Sequence, residues 1–144
     1  MSTKASTSQA ISNLQAALQR AMAGKPKVGG FPYLAEILRR AGVSRNLWHL
    51  RSCQSLYLTE AGPVVNQGTP LFTDTVYVPP FDQAALVRAL RTDQAGASTF
   101  PQFFAAAWQA GVVSYEVDLT ARAVAYHGVS RENYVEEYLS VGVI

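Results

Sequence analysis

Displaced by 69 residues, the chain falls back on itself without a gap. Phe31-Pro32 meets Phe100-Pro101, Ala41-Gly42-Val43 meets Ala110-Gly111-Val112, Leu50 meets Leu119, and Tyr57 meets Tyr126. Seven of the 27 positions from 31 to 57 are identical, where chance gives roughly two. The pattern follows the identities: Leu34 aligns with Phe103, Leu38 with Ala107 and Trp48 with Val117. A unit of this size cannot bury its own apolar faces, but two can share one core. The expectation is an α+β fold of two tandem helix–helix–β-hairpin units, with helices packed on an antiparallel sheet. The 144 residues then form a single domain. Its repeat units are expected at about 8–65 and 82–128, followed by a C-terminal helix at 131–139.

Local signals place the elements. Ile11, Leu14, Leu18 and Met22 recur at helical spacing from Ser8 to Ala23, with Gly24 and Pro26 as stop signals. Pro32 suits the first turn of a second helix, striped by Leu34, Ile37, Leu38 and Ala41 and ended by Gly42. Residues 46–51 alternate, Ser55–Thr59 is a second strand, and Val64-Val65 returns after the Glu60–Pro63 turn. Thr75–Val78 reads as an edge strand because proline follows it. Asp82 is the cap of a third helix, and Pro101 opens a fourth that ends before Gly111. Val113–Thr120 is the cleanest period-two run, with Ala123–His127 as its hairpin partner. Ser130 would cap a last helix with Tyr134, Val135, Tyr138 and Leu139 on its apolar face.

Charge separates the halves. Residues 1–62 hold eight basic and two acidic side chains, a balance of +6, and residues 63–144 hold four and eight, a balance of −4. Such a molecule attracts its own other half, a second copy or an outside partner. With 49% hydrophobic and 15% charged residues the chain is not of disordered composition. No apolar run approaches a membrane span, and Met1–Ala10 lacks the apolar core of a secretory signal, so a cytoplasmic location is expected. One cysteine, Cys53, excludes an internal disulfide framework and a Cys-rich zinc site.

The strings Lys27-Val-Gly-Gly-Phe-Pro-Tyr-Leu-Ala-Glu36, Gln54-Ser-Leu-Tyr57, Val78-Pro-Pro-Phe-Asp82 and Asp93-Gln-Ala-Gly-Ala-Ser-Thr-Phe-Pro101 carry a resemblance. From about Ser8 to about Tyr138 the chain resembles a bacterial, prophage-associated domain family of unknown function. Its members are sometimes labelled "phage envelope protein". The resemblance implies no activity, cofactor or catalytic residue.

Several residues remain as candidates for chemistry. His49 and Asp118 are equivalent under the 69-residue offset, and an imidazole beside a carboxylate suits a general base. Cys53 follows Arg51 closely, and a cation can lower a thiol pKa. These three, with Arg51 as a fourth polar residue, define an enzyme alternative with a groove between the repeats; their bland reading is solvated sheet residues and a buried filler. Lys25, Lys27, Gly29 and Gly30 precede a helix N-terminus and suit a small anion, without a Walker pattern. Arg39, Arg40, Arg45 and Arg51 around Trp48 offer an interaction surface. Nucleic acid is nevertheless disfavoured, because the net charge is only +2 and helix C-termini attract cations anyway. Tyr134 and Tyr138 are candidate interface residues, or core wall. No metal site or cofactor motif is present in the sequence. The leading expectation is a non-catalytic binding or protein-interaction protein that self-associates as a homodimer.

Overall fold

The computed structural model describes residues 3–70 and 77–142. Among these, the element order is α1 (Thr3–Gly24), α2 (Gly30–Arg40), β1 (Val43–His49), β2 (Gln54–Thr59), β3 (Gly62–Gln67), α3 (Gln83–Gln94), α4 (Phe100–Gln109), β4 (Ser114–Asp118), β5 (Ala123–His127) and β6 (Asn133–Glu137). The strands form one antiparallel sheet in the order β3-β2-β1-β4-β5-β6. The α+β class is therefore as expected. Thr75 and Val76 of the expected edge strand lie outside the described residues, and Tyr77 and Val78 are not in a strand.

Each helix end has an identifiable cause. Asp82 caps α3 by accepting from the Ala85 N–H at 3.0 Å. Thr99 and Gln102 form a reciprocal capping box at the start of α4. Gly42 (φ +93°) and Gly111 (φ +85°) follow α2 and α4 in the left-handed conformation that ends a helix cheaply only at glycine.

Two expectations are corrected. The segment 131–139 is not a helix: β6 pairs with β5 from Ala123↔Glu137 to His127↔Asn133. Tyr134 and Glu136 point to the helices, while Val135 points away. A glutamate on the inner side hid this alternation, and only α3 explains it. Arg91 Nη2 lies 2.6 Å from Glu136 Oε2, and the Tyr134 hydroxyl donates to the same oxygen at 2.7 Å. Each half thus carries three strands rather than a hairpin. The buried stripe of α1 is also rotated. It consists of Ala10, Leu14, Ala17 and Ala21, whereas Ile11 and Met22 are exposed. Three alanines let α1 approach α2 and β3 closely, while Leu14 of the expected stripe is buried with them and Leu18 packs against the core.

The core lies between the helices and one face of the sheet. Phe104 is fully buried, with its ring 5.7 Å from Trp48 and 5.0 Å from Phe100. One row of this inner face runs Asn66–Ser55–Trp48–Tyr115–Tyr126–Tyr134 across all six strands. Trp48 Nε1 donates to Asn46 Oδ1 at 2.8 Å, and Asn46 Nδ2 donates to Leu56 O, so these inward polar groups are partnered. Burial pushes the Tyr115 and Tyr126 hydroxyls well above their ordinary pKa.

The centre of the β1–β4 ladder is Leu47↔Glu116, two residues 69 apart. Applying the same offset turns Arg45↔Asp118 into His49↔Ser114, and Asn46↔Val117 into Trp48↔Tyr115.

Candidate functional site

The helices cover one face of the sheet, and strand alternation sends every second side chain to the other. The central row of that outer face is Val65–Leu56–Leu47–Glu116–Ala125–Val135, continuous by register from β3 to β6. Leu47, Leu56 and Ala125 are half-buried, Val65 is 58% exposed and Val135 51% exposed. None belongs to the core cluster or packs against it. A second row adds Pro63–Leu58–Arg45–Asp118–Ala123–Glu137, and a third Gln67–Gln54–His49–Ser114–His127–Asn133. An apolar band crossing a sheet face that none of the described helices covers is the kind of surface that marks an interaction site.

Charge divides this face at its middle. The β1–β3 side carries Arg45 and His49 and no acid, whereas the β4–β6 side carries three acids, Glu116, Asp118 and Glu137, and one histidine, His127. Arg45 bridges the divide, with Nη1 3.1 Å from Glu116 Oε2 and Nη2 3.5 Å from Asp118 Oδ2. The alternation in β1 was legible in the sequence. Which side lacks a helix was not, because both sides of β1–β3 are apolar, with Trp48, Tyr57 and Val64 on one and Leu47, Leu56 and Val65 on the other.

The three residues of the enzyme alternative do not converge. His49 pairs with Ser114 and Asp118 with Arg45, four ladder steps away, or about 13 Å. Asp118 Oδ1 instead accepts from the Thr120 and Ala121 N–H groups in the β4–β5 turn. Cys53 is buried, and burial pushes its thiol pKa up, opposite to activation. A cavity of about 400 Å³ lies beside His49, lined also by Arg51, Ser52, Val78, Trp108 and Val113. The Arg51 guanidinium sits 5.7 Å from the Trp108 ring centroid there. Among the described residues no three of His, Cys, Asp and Glu gather to hold a metal ion.

The basic candidates are dispersed and engaged. Glu36 is 7% exposed on α2 and accepts from Arg39 Nη2 at 2.7 Å and Arg40 Nε at 2.9 Å. Arg122 of the β4–β5 turn approaches to 3.9 Å, which ties α2 to the second half. The Arg39 hydrogen bond, opposed by burial and aided by Arg40, lowers the Glu36 pKa from 4.5 to about 2. A depressed folded-state pKa stabilises above the unfolded value, and that stabilisation is lost as pH falls from 4.5 towards 2. The shift corresponds to about 3 kcal/mol, reduced to about 2 because the arginines are half-exposed. Glu36→Gln should lower the urea unfolding free energy by about that amount at pH 7, and by less than half of it at pH 3. An equal cost at both pH values would refute this account.

Elsewhere the loop before α2 packs on the α3–α4 turn. A Cβ at Gly96 would meet Lys27 Cγ at 2.9 Å and Lys27 O at 3.0 Å, and a Cβ at Gly30 would meet Lys25 Cγ at 3.1 Å. Gly29 (φ +72°) precedes α2 without a side-chain cap. Burial raises the Asp93 pKa, with Ser98 and Lys25 pulling it back. Tyr134 and Tyr138 are turned from the outer face: Tyr134 stacks on Tyr126 at 6.4 Å, and Tyr138 meets Phe31 edge-on at 5.2 Å. No helix is long and apolar enough to cross a membrane among the described residues.

Residues 19–137 match the model of a family described as "Protein of unknown function (DUF1398)". Uncharacterized proteins of Mycobacterium bovis and Mycobacterium tuberculosis are each 53% identical over 131 residues, covering 91% of this chain and 80% of theirs.

Proposed function

The chain belongs to the DUF1398 family of proteins of unknown function, and for this member we propose a non-catalytic, protein-interaction role exercised through the open face of the sheet. The observation that carries the reading is the apolar row Val65–Leu56–Leu47–Ala125–Val135, interrupted only by Glu116 and left uncovered by the helices. Covering that row removes apolar area from water without disturbing the folded core. The partner is a protein surface, a second copy of this chain included. A bacterial or prophage origin and a cytoplasmic setting belong to the same proposal, the mycobacterial relatives supporting the bacterial part.

We further propose that the halves are duplicated units related by a pseudo-twofold axis. Their common helix–helix–three-strand order and the 69-residue symmetry of the central ladder support it. A small-molecule role would use the cavity beside Trp108, where Arg51 and His49 supply polarity. It has less support, because His49, Asp118 and Cys53 are not assembled into one site.

A benzophenone amino acid placed at position 56 or 65 and photolysed in living bacteria tests the interaction role. Discrete cross-linked species are expected from both positions and none from position 22, exposed on α1. Absence of any discrete species from positions 56 and 65 would remove the proposal.

A further inference from the structure

Resting on that reading, we infer that the open face is occupied by a second copy of this chain. The two sheets are related by a twofold axis parallel to the strands and centred over the β1–β4 ladder. The axis follows from the charge distribution. A twofold along the strands lays each β1 on the partner's β4, so the acid-free side covers the side with Glu116, Asp118 and Glu137, with Arg45 over the partner's Asp118 and His49 over the partner's Ser114. A twofold across the strands would instead lay Glu116 and Asp118 over β4 of the other copy, acid near acid. Complementary charge across an interface fixes register and partner, and like charges exclude the alternative.

Shape and area agree with this arrangement. In the chosen orientation Leu56 covers the partner's Ala125, Leu58 covers the partner's Ala123, and Val65 meets the partner's Val135. Large side chains on β2 thus lie over small ones on β5, which lets two sheets approach to about 10 Å. Six strands and five ladder rows span about 29 by 17 Å, or roughly 500 Å² per copy. The pair then covers about 1,000 Å², the lower bound of a specific interface. A symmetric pair also closes, so the apolar row does not propagate into a filament.

Sedimentation equilibrium of the full chain from 1 to 300 µM tests the inference. The expected species has twice the chain mass of 15.6 kDa, and raising salt from 50 mM to 1 M should weaken it several-fold. Leu56→Glu, which puts an acid opposite the partner's acidic side, should weaken association at least tenfold. Met22→Glu, on the exposed side of α1, should leave it unchanged. Circular dichroism and thermal unfolding of each variant separate lost association from lost folding. Geometry is read from a 1:1 mixture of Leu56→Cys and Ala125→Cys chains treated with a short bismaleimide. Two-copy product should exceed that from either variant alone. A monomer at every concentration would overturn the second-copy inference while leaving the docking role of the face to the in-cell cross-linking. Association that survives Leu56→Glu, or equal cross-linking in all three samples, would place the contact elsewhere and equally overturn it.

Discussion

Gly111→Ala should cost about 3 kcal/mol or more. Two effects add. Gly111 has φ +85°, where a Cβ is strained by about 1–2 kcal/mol. The new Cβ would also stand 2.5 Å from Phe81 Cα, 2.6 Å from Phe81 N and 2.6 Å from Pro80 O. All three are backbone atoms, so relief requires moving the chain, and overpacking of this kind costs about 1–3 kcal/mol. The segment that must move leads into α3. The Asp82 N–H donates to Ala110 O at 2.8 Å, and the Asp82 carboxylate caps α3, so displacement loosens the α3–α4 pair. Gly29→Ala is the control, with φ +72° and no atom within 4 Å of the added Cβ. It should show the strain alone, about 1 kcal/mol. Urea unfolding of both variants decides the matter: costs within 1 kcal/mol of each other would rule out the clash.

Phe104→Ala should cost about 3–5 kcal/mol and lower Tm by on the order of 10 °C. Phe104 is the largest side chain that is fully buried, and it fills the space between α4 and the sheet. Its ring meets Trp48 edge-on and leans on Phe100. Removing it leaves a cavity under β1, whose walls are a stiff sheet and a capped helix that cannot close together. Phe104→Leu keeps most of the volume and should cost less than about 1.5 kcal/mol. Thermal melts followed by circular dichroism distinguish the two. An alanine variant that melts within 3 °C of the parent would show that the core collapses to fill the gap. Because Trp48 faces inward beside this ring, self-association through the outer face should survive Phe104→Leu.

Much of the local structure was written in individual residues. Asp82, Pro101, Gly42 and Gly111 marked helix boundaries because their chemistry acts within one turn of the chain. Period-two spacing marked β4 from Tyr115, Val117 and Leu119, which are all buried. Local spacing misleads where a distant element changes what a side chain costs. The segment 131–139 reads as a helix, whereas the inward Glu136 of β6 is held by an ion pair from Arg91 and a hydrogen bond from Tyr134, partners that local spacing does not reveal. Of the expected α1 stripe Leu14 is buried and Leu18 packs on the core, but Ile11 and Met22 are exposed, and Ala10, Ala17 and Ala21 fill the seam where α1 meets α2 and β3. The candidate site followed the same rule. His49 and Asp118 were equivalent under the repeat offset, but an antiparallel ladder centred on Leu47 and Glu116 sends equivalent residues to opposite ends.

The 69-residue offset shows the division most clearly. By itself the sequence determined that Gly42 and Gly111 each end a helix and turn the chain into a strand, since a left-handed glycine is a local requirement. Only the tertiary structure decided that they differ. The Glu60 side chain can swing away from a Cβ at Gly42, whereas the Pro80–Phe81 backbone over Gly111 cannot. Likewise the sequence determined that Leu47, Leu56 and Val65 lie in strands. Their exposure together, with no helix above them, was decided by which face the four helices took, and that choice is made by contacts between residues far apart in the chain.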